Sequence, residues 1–175
     1  MYVISTSIEL PIAHCLYKGA YSGLCCGNVY RDKDNDSEND RYDLSTNIFP
    51  IIHGHNYIIS VSVITDDNLD TNNMVIDFKL LKKIINNYFS QYDHSLILTP
   101  DNPLTKAYIN NYQKYGIDIN RSRLFIWDVN PTAEYMAKYW CDELKVCLQN
   151  FINFISLEIT VEETSHNRVI YKEQL

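Results

Sequence analysis

Imidazole both ligates metals and exchanges protons near neutral pH, and this chain of 175 residues carries five histidines. Two stand in His53-Gly54-His55, at the head of the run Ile58-Ile59-Ser60-Val61-Ser62-Val63-Ile64. Strand side chains alternate between faces, so residues two apart project together. His53 and His55 therefore share a face with Tyr57, Ile59, Val61 and Val63, while Asn56, Ser60 and Ser62 take the other. His14 ends a second alternating run, in which Tyr2, Ile4, Ile8, Leu10 and Ile12 face one way and Ser5, Ser7 and Glu9 the other. Three imidazoles on apolar strand faces suit zinc, which takes three protein ligands at a catalytic site and keeps a fourth position open. The alternative is three unrelated histidines, each hydrogen-bonded where it lies.

Other residues offer proton chemistry. His94 directly follows Asp93, and a carboxylate beside an imidazole fixes its tautomer and raises its basicity. Neighbours in a strand point apart, so the two cooperate only where the chain turns; a histidine favoured by the end of a helix is the other reading. Glu163 continues the apolar face of Ile155, Leu157, Ile159 and Val161. A carboxylate there needs a partner, either an internal arginine or a ligand with two parallel N–H donors, such as an amino-pyrimidinone ring. Glu134 opens a helix, where the dipole favours it. A thiol beside a metal or a histidine loses its proton near neutral pH, which makes Cys25 and Cys26 candidates. Cys15 points away from His14, Cys141 and Cys147 are helical with Cys147 in the core, and His166 reads as a surface residue.

Those residues need a scaffold, and the chain has the size for one domain over 1–175 with a sizeable core. Strands are expected at 2–14, from His53 to Ile64, at 155–162 and from Arg168 to Tyr171, with extended pieces at 74–76 and 124–127. A helix capped by Asp77 carries Phe78, Leu81, Ile85, Tyr88, Phe89 and Tyr92 inward, ending near Gln91. A second is capped by Asn130 with Pro131 at its first position, and buries Ala133, Met136, Ala137, Trp140, Leu144, Cys147, Leu148 and Phe151. Residues 99–122 show no periodicity. The order of elements gives an α+β fold with a mainly antiparallel sheet. Residues 31–43 read as a polar loop within an insertion at about 28–47. Asp32, Asp34, Asp36 and Asp43 match a calcium-loop spacing, but Ser37 replaces its turn glycine and no helices flank it.

A net charge of -7 and a pI near 5.1 leave no basic patch for nucleic acid. No apolar run is long enough for a membrane span, and no signal peptide is evident. Five cysteines, an odd number without a Cys-x-x-Cys pair, suit a reducing cytoplasm.

Taken together, Ala13-His14, His53-Gly54-His55-Asn56-Tyr57, Val75-Ile76-Asp77-Phe78, Tyr92-Asp93-His94, Asn130-Pro131-Thr132-Ala133-Glu134 and Glu163-Thr164 resemble the 6-pyruvoyltetrahydropterin synthase and 6-carboxytetrahydropterin synthase family. The resemblance implies the tunnelling fold (T-fold): an antiparallel sheet backed by two helices, barrels closed by trimerisation, and a homohexamer of two trimers with active sites between subunits. It implies zinc on His14, His53 and His55, and a pterin gripped by Glu163 with help from Thr132 and Glu134. The implied substrate is 7,8-dihydroneopterin triphosphate. A cysteine thiolate would deprotonate the side-chain carbon next to the ring, and His94, oriented by Asp93, would return protons.

The family's 6-carboxy product requires loss of acetaldehyde and triphosphate, its pyruvoyl product loss of triphosphate alone. A side-chain-cleaving relative of folate synthesis and a non-catalytic pterin- or zinc-binding hexamer are the remaining possibilities. One departure bears on all of them. The family's thiol lies a few residues before the histidine pair, where this chain has Asn47-Ile48-Phe49-Pro50; a variant group's glutamate position is Pro50. Cys26-Gly27 resembles the 6-carboxy enzymes and Gly23-Leu24-Cys25 the pyruvoyl enzymes, and Cys26 is the preferred candidate.

Overall fold

The computed structural model describes residues 1–16, 52–66 and 69–175. Cys25, Cys26, the insertion at about 28–47 and its calcium-type spacing lie outside them. Two thirteen-residue strands, β1 (Tyr2–His14) and β2 (His53–Thr65), form an antiparallel ladder from Tyr2 opposite Thr65 to His14 opposite His53. β5 (Ser156–Glu162) pairs antiparallel with β2, and β6 (Arg168–Gln174) with β5. On the other side of β1, β3 (Ser95–Leu98) and β4 (Leu124–Ile126) add in parallel, giving the order β4-β3-β1-β2-β5-β6.

The sheet is thus antiparallel over four strands and parallel at one edge. Parallel neighbours need crossovers: α1 (Phe78–Phe89) leads into β3 and α2 (Pro103–Tyr115) into β4, while α3 (Ala133–Leu148) carries the chain from β4 across the sheet to β5. Among the described residues three α-helices stand where two are expected. α2 carries a full set of end signals: Asn102 caps it, Pro103 opens it and Gly116 closes it at φ +65°. Its Tyr- and Asn-rich surface buries Thr105 alone, so no apolar stripe marks it in the sequence. β3 is also unanticipated, and Met74-Val75-Ile76 is a turn-rich lead-in to α1 in place of a strand. No described helix is long and apolar enough to cross a membrane.

The core lies between one sheet face and the helices. Leu10, Ile12, Tyr57, Ile59, Val61 and Val63 are buried against Leu81, Ile85 and Phe89 of α1 and Met136, Trp140 and Leu144 of α3. Phe78, placed inward by periodicity, is 62% exposed at the first turn of α1. Cys141 is fully buried in the core, and Cys147, expected in the core, is half-buried against it.

Pro11 shows how β1 tolerates an imide inside a strand. A residue's N–H and C=O point to the same side of a strand, and the Pro11 carbonyl turns toward β3, accepting from His94 N–H at 2.9 Å. The missing donor therefore costs no β1–β2 bond.

The register separates neighbouring residues by face. Ile59 is fully buried and Ile58 is 44% exposed. Ile59→Ala should lower the unfolding free energy by about 2–4 kcal/mol, and Ile58→Ala by less than about 1 kcal/mol. Urea denaturation measures both; equal losses would contradict the register.

Candidate metal centre and neighbouring acid–base groups

The ladder ends by setting His14 directly opposite His53, with His55 two residues along the same face. One ligand atom from each imidazole lies within 4.8 Å of the others. The ring centroids of His14 are 4.3 Å from His53 and 5.6 Å from His55. Gly54, between the two, faces away; a Cβ there would stand 3.3 Å from the Ile12 carbonyl, closer than comfortable contact.

His14 has 1% of its side chain exposed, and its Nδ1 lies 2.7 Å from the Pro131 carbonyl. A carbonyl only accepts, so Nδ1 carries the proton and Nε2 the lone pair. Such a contact also fixes ring orientation in metal-ligating histidines. Its position depends on where α3 begins. Thr132, not Asn130, is the cap: its hydroxyl accepts from Tyr135 N–H at 3.3 Å, and its carbonyl accepts the first helical bond from Met136. Pro131 therefore stands outside the helix, and its carbonyl is available to His14.

Burial holds the His14 pKa down at about 4, the Pro131 contact opposing and the two other imidazoles reinforcing. His14 is neutral at pH 7, so it ligates without first releasing a proton. His55 Nε2 is buried without a hydrogen-bond partner among the described residues. A buried imidazole nitrogen that makes no hydrogen bond, beside two other imidazoles, fits a metal ion. The donor set, three imidazole nitrogens, suits zinc and other borderline divalent ions.

Glu163 joins this cluster. Continuing the β2–β5 register one step beyond Ile58 opposite Glu162 brings Glu163 beside Tyr57. The Tyr57 hydroxyl donates to Glu163 Oε1 at 3.3 Å and lies 3.1 Å from His14 Nε2. Oε1 is also 3.5 Å from His55 Nε2. The Glu163 N–H bonds the Asn167 carbonyl at 3.0 Å, anchoring the residue at the β5–β6 turn. No arginine pairs with it among the described residues, and its side chain is 22% exposed. Tyr57 and the Pro131 carbonyl escape a reading of the sequence. Tyr57 lay on the histidines' own face, but its ring counted there as core.

Asp93 and His94 also cooperate. His94 turns the chain at φ +56°, a left-handed conformation in which histidine is over-represented among residues with side chains. His94 Nδ1 then lies 2.9 Å from Asp93 Oδ1, and its side chain is 77% exposed. Among the described residues, no hydrogen bond, ion pair or ring contact joins this pair to the three histidines. Glu134 is exposed on the first turn of α3 and makes no hydrogen bond or ion pair among the described residues. Cys141 and Cys15 are not ready nucleophiles, since burial pushes Cys141 up to about 12 and raises Cys15 as well.

A family model described as 6-pyruvoyl tetrahydropterin synthase matches residues 4–174. The chain belongs to this family. Among its relatives, the 6-carboxy-5,6,7,8-tetrahydropterin synthase of Aquifex aeolicus is 29% identical over 126 residues, covering 70% of this chain and 75% of the relative. The enzyme of the same name from Rickettsia typhi is 30% identical over 116 residues, covering 66% and 78%. Solved structures of the family share the T-fold. A catalytic-residue mutant of Plasmodium vivax 6-pyruvoyltetrahydropterin synthase superposes with a TM-score of 0.59 at 16% identity over the full length of both chains. The Caenorhabditis elegans 6-pyruvoyl tetrahydropterin synthase gives 0.56 at 21% identity, covering 99% of this chain and 96% of that one. This family member carries a three-histidine cluster that could hold a metal ion.

The depressed His14 value has a consequence for stability. Between pH 6.5 and about 4, the unfolded chain takes up a proton that the folded, metal-free chain refuses. Stability is then full above the ordinary histidine value and falls on acidification. The loss from this residue approaches about 3 kcal/mol at pH 4. Urea midpoints of chelator-treated protein should fall from pH 7 to pH 4.5, with a shallower fall in His14→Gln; equal slopes would contradict the assignment.

Proposed function

We propose that this chain is a zinc-dependent lyase that converts 7,8-dihydroneopterin triphosphate and water to 6-carboxy-5,6,7,8-tetrahydropterin, acetaldehyde and triphosphate. The observation that carries the reading is the convergence of three imidazoles and the Glu163 carboxylate at one end of β1, β2 and β5. The names of the relatives at 29% and 30% identity favour the 6-carboxy product.

His14, His53 and His55 hold the zinc, which when bound supplies a Lewis acid for the substrate's side-chain hydroxyls. Glu163 accepts paired N–H bonds from the amino-pyrimidinone edge of the pterin, a geometry two carboxylate oxygens match. Tyr57 has one hydroxyl proton for two acceptors, His14 Nε2 and Glu163 Oε1. With the His14 lone pair given to a metal, that proton is left to Glu163 and holds the carboxylate in place. Thr132 and Glu134, at the start of α3, flank the pterin.

Cys26 takes the proton from the side-chain carbon next to the ring. His94 is kept by Asp93 in the Nδ1–H tautomer, and its Nε2 exchanges protons with the substrate. The exposure of His94 is consistent with a site closed by a neighbouring subunit in a homohexamer of two trimers, in the cytoplasm.

Incubation of zinc-loaded protein with dihydroneopterin triphosphate, followed by mass analysis, tests this. Acetaldehyde and the 6-carboxy product are expected, with loss of turnover in Cys26→Ala by about 100-fold or more. A diketo product would reassign the chain to pyruvoyl synthesis, and 6-hydroxymethyl-dihydropterin to side-chain cleavage. Unchanged substrate would leave a binding protein.

A further inference from the structure

The Asp93–His94 pair is held by a residue outside the segments that carry the family resemblance. Asp93 Oδ1 accepts from His94 Nδ1 at 2.9 Å. The other carboxylate oxygen, Oδ2, lies 3.6 Å from Arg123 Nη1, and the same nitrogen donates to the Asp93 carbonyl. Arg123 Nη1 therefore reaches both the side chain and the backbone of Asp93. The three side chains are 44% (Asp93), 49% (Arg123) and 77% (His94) exposed. An Asp–His contact this open to water is weak alone and readily exchanged for solvent. The Asp93 carboxylate and carbonyl both have Arg123 as a second partner.

The backbone brings these groups together. His94 at φ +56° and Arg123 at φ +54° are both left-handed, a conformation that disfavours residues with a Cβ. Each stands immediately before one of two adjacent parallel strands, β3 and β4. The Leu96 N–H bonds the Arg123 carbonyl at 3.0 Å, tying the starts of the two strands to one another. Arginine gains nothing from that φ. Glycine would adopt it without strain, so what arginine adds at this position is its side chain's contact with Asp93.

We propose that Arg123 is a positioning residue for the Asp93–His94 pair. Its guanidinium locks Asp93 so that His94 stays in the Nδ1–H tautomer, with the Nε2 lone pair turned outward. The consequence for turnover rests on the reading of His94 as a proton carrier; the hold on the imidazole does not.

Nitrogen-15 NMR of the His94 ring, with steady-state kinetics on the zinc-loaded protein, tests this in Arg123→Gly and Arg123→Lys. Glycine keeps the backbone and removes the guanidinium, and lysine restores a cation. In Arg123→Gly the ring should move toward the Nε2–H tautomer that unconstrained imidazole favours. Its kcat should fall about tenfold, part of what a positioned proton carrier contributes, with KM little changed. Arg123→Lys should recover part of both effects. Unaltered His94 tautomer populations in Arg123→Gly would overturn the proposal. A tautomer shift at unchanged kcat would support the hold of Arg123 on the imidazole and count against His94 as the proton carrier.

Discussion

The position of His14 opposite His53 across β1 and β2 is the constraint on which the rest of the site depends. Strand side chains alternate with a period of two, so a slip of one residue would turn one strand's whole set to the other face. His14 would then leave its partners, and Leu10 and Ile12 would leave the core with it. Thirteen paired positions, with Ile59, Val61 and Val63 fully buried on the same face as His55 and Tyr57, resist such a slip. The apolar core and the three-histidine cluster are two stretches of one sheet face, so the energy that folds the sheet also assembles the cluster.

From that pair the site is built outward by neighbouring elements. β5 runs along β2 in a register that delivers Glu163 to Tyr57. α3 begins at Thr132 and leaves the Pro131 carbonyl to hold His14. β3 lies against the last residues of β1, and the Pro11 carbonyl fixes His94 by its N–H. The Asp93–His94 pair and the three-histidine cluster thus hang from the same end of β1, with no contact between them among the described residues. One is half-buried and braced by hydrogen bonds; the other stands in solvent and leans on Arg123.

Much of this was legible in the sequence because it follows from short-range periodicity. The alternation of β1 and β2 identified the shared face of the three histidines, and Asp77 capped α1 as anticipated. What escaped notice depended on tertiary contact. α2 has clear caps but no apolar stripe, so the rule that finds amphipathic helices passes over it. The cap of α3 moved from Asn130 to Thr132, since only the folded chain offers His14 as a partner for the Pro131 carbonyl. The Tyr57 hydroxyl and Arg123 act through groups far away in sequence, at His14, Glu163 and Asp93, and no local pattern could mark them. Sheet direction at the β3–β4 edge was hidden for the same reason, because β3 is four residues long.

The most direct test of a three-histidine zinc centre is X-ray absorption at the zinc edge of the zinc-loaded protein. Such a centre predicts imidazole scattering from three nitrogens at about 2.0–2.1 Å, completed by oxygen. A dominant sulfur shell at about 2.3 Å, or the absence of imidazole scattering, would contradict it.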